Sequence, residues 1–159
     1  MNDDPLAFFI TWTVYGTFLQ GDERWWRSRG GSRPPQPKLQ QWHRDRLNHE
    51  IILLSDSQRE LVASEIQRLS DFRGWKLWIA NPRTNHVHVV VTAMNYSGKK
   101  VRDQMKANCT RGLREKYSEF VDRPVWSVNG DWKCINQEDD LEQAILYAGE
   151  AQARKDREE

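Results

Sequence analysis

Several things are scarce in this 159-residue chain, and each scarcity excludes something. Two cysteines, Cys109 and Cys134, cannot form the disulfide framework of a small secreted domain and suit a reducing compartment. No apolar run approaches the length of a membrane span. The opening "MNDDPLAFFITW" carries acids where a secretory signal needs basic residues. Together these predict a soluble, cytoplasmic protein with no membrane partner. There is no internal repeat and no low-complexity segment. Net charge is also nearly absent, at +1, so the total does not advertise a polyanionic partner.

What is abundant is tryptophan, with eight residues, more than one small core can hide. Charge is also unevenly distributed. Arg24–Arg46 contains seven Lys/Arg and one acid, Asp45, and Lys99–Lys116 contains seven Lys/Arg and two acids. An acidic stretch, Glu138 to Glu142, offsets them.

Read along the chain, 7–15 is β-branched and aromatic and predicts a strand, with Ile10, Trp12 and Val14 facing a core and Thr11 and Thr13 facing away. A Gly/Pro/Arg-rich stretch, about 16–50, reads as a long basic loop or insertion. Residues 55–72 predict a helix with a Ser55/Gln58 capping box and the stripe Leu61, Val62, Ile66, Leu69, Phe72, stopped by Gly74. Residues 75–82 and 85–93 predict two strands joined by a turn at Pro82-Arg83. Residues 97–117 predict a second helix, with Val101, Met105, Cys109 and Leu113 inward. Residues 123–135 read as a fourth strand or a hairpin around Asn129-Gly130. A last helix runs from about 138 to 153 on Leu141, Ala144, Ile145 and Ala148. The order is βαββαβ plus one helix. It predicts one α+β domain over 1–159: a ferredoxin-like antiparallel sheet, helices on one face, and an additional C-terminal helix.

The segment "NHVHVVV" carries the chemistry. Period-2 alternation puts Val87, Val89 and Val91 on one face and His86 and His88 on the other, roughly 7 Å apart along the strand. Two imidazoles on a half-exposed strand are ordinary polar surface when nothing else joins them. With a third ligand they chelate a divalent ion, Mg²⁺ or Mn²⁺ to polarise a phosphate, or Zn²⁺ to activate water. Tyr147 lies on the last helix just off its buried stripe, where a hydroxyl stays wet. Glu150 lies at i+3 on the same side, within reach of the same ion. Arg83 and Asn85 flank the histidines and are candidate substrate contacts. Lys99, Lys100, Arg102, Lys106, Arg111 and Arg114 are candidate phosphate contacts. Trp25 and Trp26, among arginines, are candidates for base stacking. His43 and His49 read as ordinary surface histidines.

"NHVHVVV" resembles the His-hydrophobic-His (HUH) motif of single-tyrosine transposases. "YAGEAQ" resembles their tyrosine-bearing C-terminal helix, and "FFITWTVYGTFLQGDERWW" resembles the opening of the branch related to REP-associated tyrosine transposases. The resemblance covers roughly residues 7–152. It implies a divalent-metal-dependent enzyme that cleaves and rejoins single-stranded or hairpin DNA through a 5′-phosphotyrosine. His86 and His88 would be the metal ligands and Tyr147 the nucleophile. Many members carry an amide four residues after the tyrosine as third ligand. That position here is Ala151, which leaves Glu150, favoured by helical phase, and Gln152. It also keeps open a second reading, a catalytically decayed or domesticated hairpin-DNA-binding protein. A water-using two-histidine phosphoesterase is a third, but it usually needs a second H-x-(S/T) motif, and none is present. Members of the family include homodimers and monomers.

Overall fold

In the computed structural model of the chain, residues 4–17, 26–28 and 31–151 are described, with the backbone alone for 26–28, 31–33, 150 and 151. Strand β1 (Ala7–Thr13) is followed by two short strands, β2 (Trp26–Ser28) and β3 (Gly31–Arg33), which pair with each other. Helices α1 (Pro37–Asp45) and α2 (Asp56–Arg73) come next, then β4 (Lys76–Pro82), β5 (His86–Thr92), α3 (Gly98–Lys116), β6 (Asp131–Ile135) and α4 (Glu138–Leu146). The stretch read as a loop from 16 to 50 thus contains a hairpin and a helix. Pro37 opens that helix from a position whose backbone N–H would be unpaired in any case.

β4, β5, β1 and β6 form one antiparallel sheet in the order β4-β5-β1-β6. This is the ferredoxin-like arrangement that the element order predicts, with both crossover helices, α2 and α3, on one face. The local causes are those the sequence announces. Ser55 Oγ accepts from the Gln58 backbone N–H while Gln58 Oε1 accepts from the Ser55 N–H, satisfying two donors at the start of α2. Gly74 ends it at φ 74°, a left-handed conformation that glycine adopts at no steric cost. Val62, Ile66, Val101, Met105, Cys109 and Leu113 are fully buried between these helices and the inward row Ile10, Trp12, Val14, Val87, Val89 and Val91. Burial pushes the Cys109 thiol well up, the Glu65 carboxylate adding to it, so it packs as a small apolar group. Phe72, expected in the α2 stripe, is exposed instead. It lies about 80° round the helix from Val62, on the last turn.

The segment 123–135 is not a hairpin. Trp126 bridges Val14, and Asp131–Ile135 pairs with β1, so both parts lie along the same neighbour. Between them the chain bulges through Asn129 and Gly130, both at positive φ. A Cβ on Gly130 would come within 2.8 Å of the Thr11 carbonyl, so only glycine lets the bulge sit this close to β1. Trp12, Trp75 and Trp126 are core residues, whereas Trp42, Trp78 and Trp132 keep about two-fifths to one-half of their surface exposed.

The second sheet face is covered only in part. Ala148 and Val90 meet Ala7 and Ile135 there, with Phe9, Ile79, Leu141, Ala144 and Ile145 packed around them. The last helix is α-helical only to Leu146, and Tyr147–Ala151 forms a π-turn.

Candidate functional site

The register of the sheet gathers the site. Thr11 pairs with His88 and Thr13 with His86 across β1 and β5, while Asn81 of β4 pairs with His88 from the other side. Directly opposed residues share a face, so Phe9, Thr11, His86, His88 and Asn81 all belong to the face opposite α2 and α3. The imidazoles of His86 and His88 lie 4.7 Å apart, centroid to centroid, at 70°. The π-turn brings in Tyr147, whose ring is 5.8 Å from that of His88. Phe9 closes a triangle with them, 5.5 Å from His88 and 6.0 Å from Tyr147. The expectation of a half-exposed pair needs correction, because His86 and His88 are 9% and 6% exposed. Their strand is internal to the sheet and the tyrosine-bearing segment lies over it. Tyr147 itself is 45% exposed, so its hydroxyl edge stays in reach of solvent and substrate.

Each imidazole has a hydrogen-bonding neighbour at Nδ1. Asn85 Oδ1 is 2.5 Å from His86 Nδ1, and an amide oxygen can only accept, so Nδ1 carries the proton and Nε2 keeps its lone pair. Thr11 Oγ1 is 2.9 Å from His88 Nδ1 and does the same for His88 when the hydroxyl accepts. Asn85 is fixed in turn, since its carbonyl takes the Val14 N–H at 2.9 Å and the Thr17 hydroxyl at 3.1 Å. Asn85 therefore positions a histidine; the sequence suggested it as a substrate contact. Imidazoles oriented through Nδ1 present Nε2 as a ligand, which is how histidines are commonly prepared to hold a metal. Among the described residues no group of three or more His, Cys, Asp and Glu converges on one point. The Glu150 side chain and all of Gln152 lie outside the described residues. Helical phase favours Glu150 only in an α-helix, and the chain from Tyr147 onward follows the wider i→i+5 winding.

The other expected residues fall elsewhere. Arg83 adjoins the pair through its backbone N–H, which donates to the His86 carbonyl at 2.7 Å. Lys99 and Lys100 are exposed at the start of α3, on the helical layer and not on the histidine face, and Arg111 and Arg114 are exposed further along it. Arg102 is not available to a phosphate. It is 5% exposed, with Nη1 donating to the Gly130 carbonyl at 2.9 Å and Nε to Asp103 at 3.0 Å. Lys106 is similarly committed, its ammonium donating to the carbonyls of Ser127 and Asn129. Burial, and then the adjacent Arg102 guanidinium, pull its pKa below the usual lysine range, Asp103 opposing them. These two cations brace the 127–130 bulge. Trp25 lies outside the described residues, and only the backbone of Trp26 is described, in β2. Tyr117, the tyrosine at the end of α3, packs against the helical core.

Three residues that matter here escaped the sequence reading. Phe9 shares its strand face with Thr11, two residues on, and nothing in the sequence marks it as more than a strand residue. Asn81 sends its amide to the Ala148 carbonyl at 2.5 Å, tying β4 to the π-turn. Lys133, paired with Phe9, is exposed on the histidine face.

This is a ferredoxin-like α+β domain with an oriented imidazole pair and a tyrosine on its second sheet face. No family model and no curated protein matches the chain. It is similar in fold to the solved structure of a REP-associated tyrosine transposase bound to a REP hairpin, with a TM-score of 0.56 at 12% identity. The match covers 98% of this chain and 71% of that one. Among the described residues, no helix is long and apolar enough to cross a membrane.

Proposed function

We propose that the chain is a tyrosine transposase that cuts and rejoins single-stranded DNA beside a hairpin. The observation that carries this reading is the meeting of the His86 and Tyr147 rings with His88, beside Phe9, from β5 and from the turn that follows α4. The fold it shares with a transposase that binds a hairpin gives it context.

The Tyr147 oxygen attacks the scissile phosphorus. A Tyr147 Oη–P bond forms, the P–O3′ bond breaks, and the departing 3′ oxygen takes up a proton while the tyrosine gives one up. The products are a 5′-phosphotyrosine and a free 3′-hydroxyl, which can later attack such a linkage and restore a phosphodiester without ATP. His86 and His88 would hold a divalent ion, Mg²⁺ or Mn²⁺, supplying Lewis-acid polarisation of the phosphate; Glu150 or Gln152 is the proposed third ligand. A tyrosine hydroxyl with a usual pKa of about 10 needs that help. Lys133, and Lys99 and Lys100 further out, are proposed phosphate contacts.

The test is incubation with hairpin-bearing single-stranded DNA and Mg²⁺ or Mn²⁺, followed by a denaturing gel. A covalent adduct is expected from the native chain and none from Tyr147→Phe, with hairpin binding retained. An adduct mapped to Tyr117, or water-dependent cleavage without any adduct, overturns the reading. Hairpin binding with neither outcome selects the non-cleaving hairpin binder.

A further inference from the structure

Helix α1 carries two stripes of four-residue spacing. Leu39, His43 and Leu47 form one and are half-buried; Lys38, Trp42 and Arg46 form the other and are exposed. The first stripe faces inward, and Leu47 lies so close to Gly16 that a Cβ there would meet its Cδ1 at 3.0 Å. Trp42 belongs to the other stripe and remains 48% exposed. It nonetheless has close partners. The Arg46 guanidinium stacks 3.7 Å from the indole centroid, and Arg46 Nη1 donates to the Trp42 carbonyl at 3.0 Å. His43 meets the ring edge-on at 4.9 Å. On the opposite flank, toward the helix N-terminus, a shallow hollow of about 520 Å³ is lined by Gln36, Lys38, Leu39 and Trp42. The only acid of the helix, Asp45, accepts from Gln41 at 2.6 Å, away from this stripe.

An indole with a cation on one side, a mostly apolar hollow on the other and a second cation at the rim fits one kind of ligand well. A nucleobase offers a planar π-face to the indole, and the strand on either side of it offers phosphates to the cations. A duplex does not fit, because its bases are already stacked on one another. We infer that α1 is a stacking platform for an unpaired nucleotide of single-stranded DNA, the base lying on Trp42 and the flanking phosphates meeting Lys38 and Arg46. The inference rests on the preceding reading for the identity of the ligand as DNA, and on nothing about cleavage.

Binding of a labelled oligothymidylate to the full chain, measured across a salt series, tests it. Trp42→Ala should weaken binding by about 5- to 150-fold with the salt slope unchanged, because stacking releases no counterions. Trp42→Phe should recover most of the loss. Lys38→Ala should lower the slope by about 0.7. Binding to a duplex of equal length should be indifferent to Trp42. Unchanged oligothymidylate binding by Trp42→Ala overturns the inference. So does a shift in sedimentation without a loss of binding, which would make the stripe a contact between copies. The two readings fail separately. No adduct from the native chain, with Trp42-dependent binding intact, overturns only the cleavage. An adduct with Trp42-independent binding overturns only the platform.

Discussion

Asn81 touches both halves of the candidate site: its backbone is paired with His88, and its side-chain amide donates to the carbonyl of Ala148, the residue after Tyr147. One side chain thus ties the tyrosine to the strand pair that carries the histidines.

Asn81→Ala should lower the rate of adduct formation by about 10- to 100-fold, since small displacements of a reacting group cost rates of that size. Stability should fall by only about 1 kcal/mol, the net worth of one hydrogen bond. Asn81→Asp, which sets a carboxylate against the carbonyl, should be slower still. Single-turnover kinetics beside denaturant melts separate positioning from unfolding. Equal rates in Asn81→Ala and the native chain would remove this role.

His86→Ala should abolish adduct formation, and it should also destabilise the fold. A half-exposed strand with its histidines outside the core predicts no such cost. The 9% exposure and the packing on His88 predict a loss of about 1–3 kcal/mol. A urea melt that matches the native one would show that the imidazole is not packed as described.

Thr11 and Asn85 should act on metal affinity. Thr11→Val and Asn85→Ala each free an imidazole to rotate and to change tautomer, and loss of such orienting partners commonly costs about 10- to 100-fold in affinity. Thr11→Ser keeps the hydroxyl and should bind Mn²⁺ like the native chain. Calorimetric titration with Mn²⁺ reads this without any DNA. Native affinity in Thr11→Val would leave the hydroxyl no part in holding the ligand.

Arg102 and Lys100 should part company. Arg102→Met removes the cation that satisfies the Gly130 carbonyl and should cost about 1–3 kcal/mol of stability while leaving the salt dependence of DNA binding unchanged. Lys100→Ala, at an exposed position, should leave stability unchanged. If Arg102→Met flattens the salt dependence without destabilising the chain, the brace is wrong.

The fold was legible because its signals are local and redundant. The Ser55/Gln58 box, Gly74 and the four-residue spacing of Val101, Met105, Cys109 and Leu113 all speak within one or two turns of chain. Period-2 alternation likewise put His86 and His88 on one face. The site was legible only as far as such periodicities reach. Nothing near Asn81 in sequence announces Ala148, and nothing near Phe9 announces Tyr147; those contacts depend on register and on how the last helix docks. The basic face of α3 misled for a related reason. Charge alone cannot tell a lysine that meets solvent from one, like Lys106, that is held by carbonyls more than twenty residues away. The π-turn was only partly legible: Gly149 in "YAGEA" is a poor helix residue that can loosen the last turn, but nothing local says that the winding widens there.

That turn gives the site two halves of unequal durability. β5 is hydrogen-bonded on both edges and buried along nearly its whole length, so its amides should exchange with solvent only when the whole domain opens. Tyr147–Ala151 is held by Ala148, by the Asn81 amide and by the Tyr147 ring against Phe9 and His88, with Tyr147 half in water, so it can open locally at lower free energy. Mild heat or urea would therefore detach the tyrosine from a histidine pair that is still folded. The proposed third ligand leaves with the tyrosine, so strand cleavage would be lost well before the fold, and the chain would pass through a state in which two folded histidines are left as a weakened metal site.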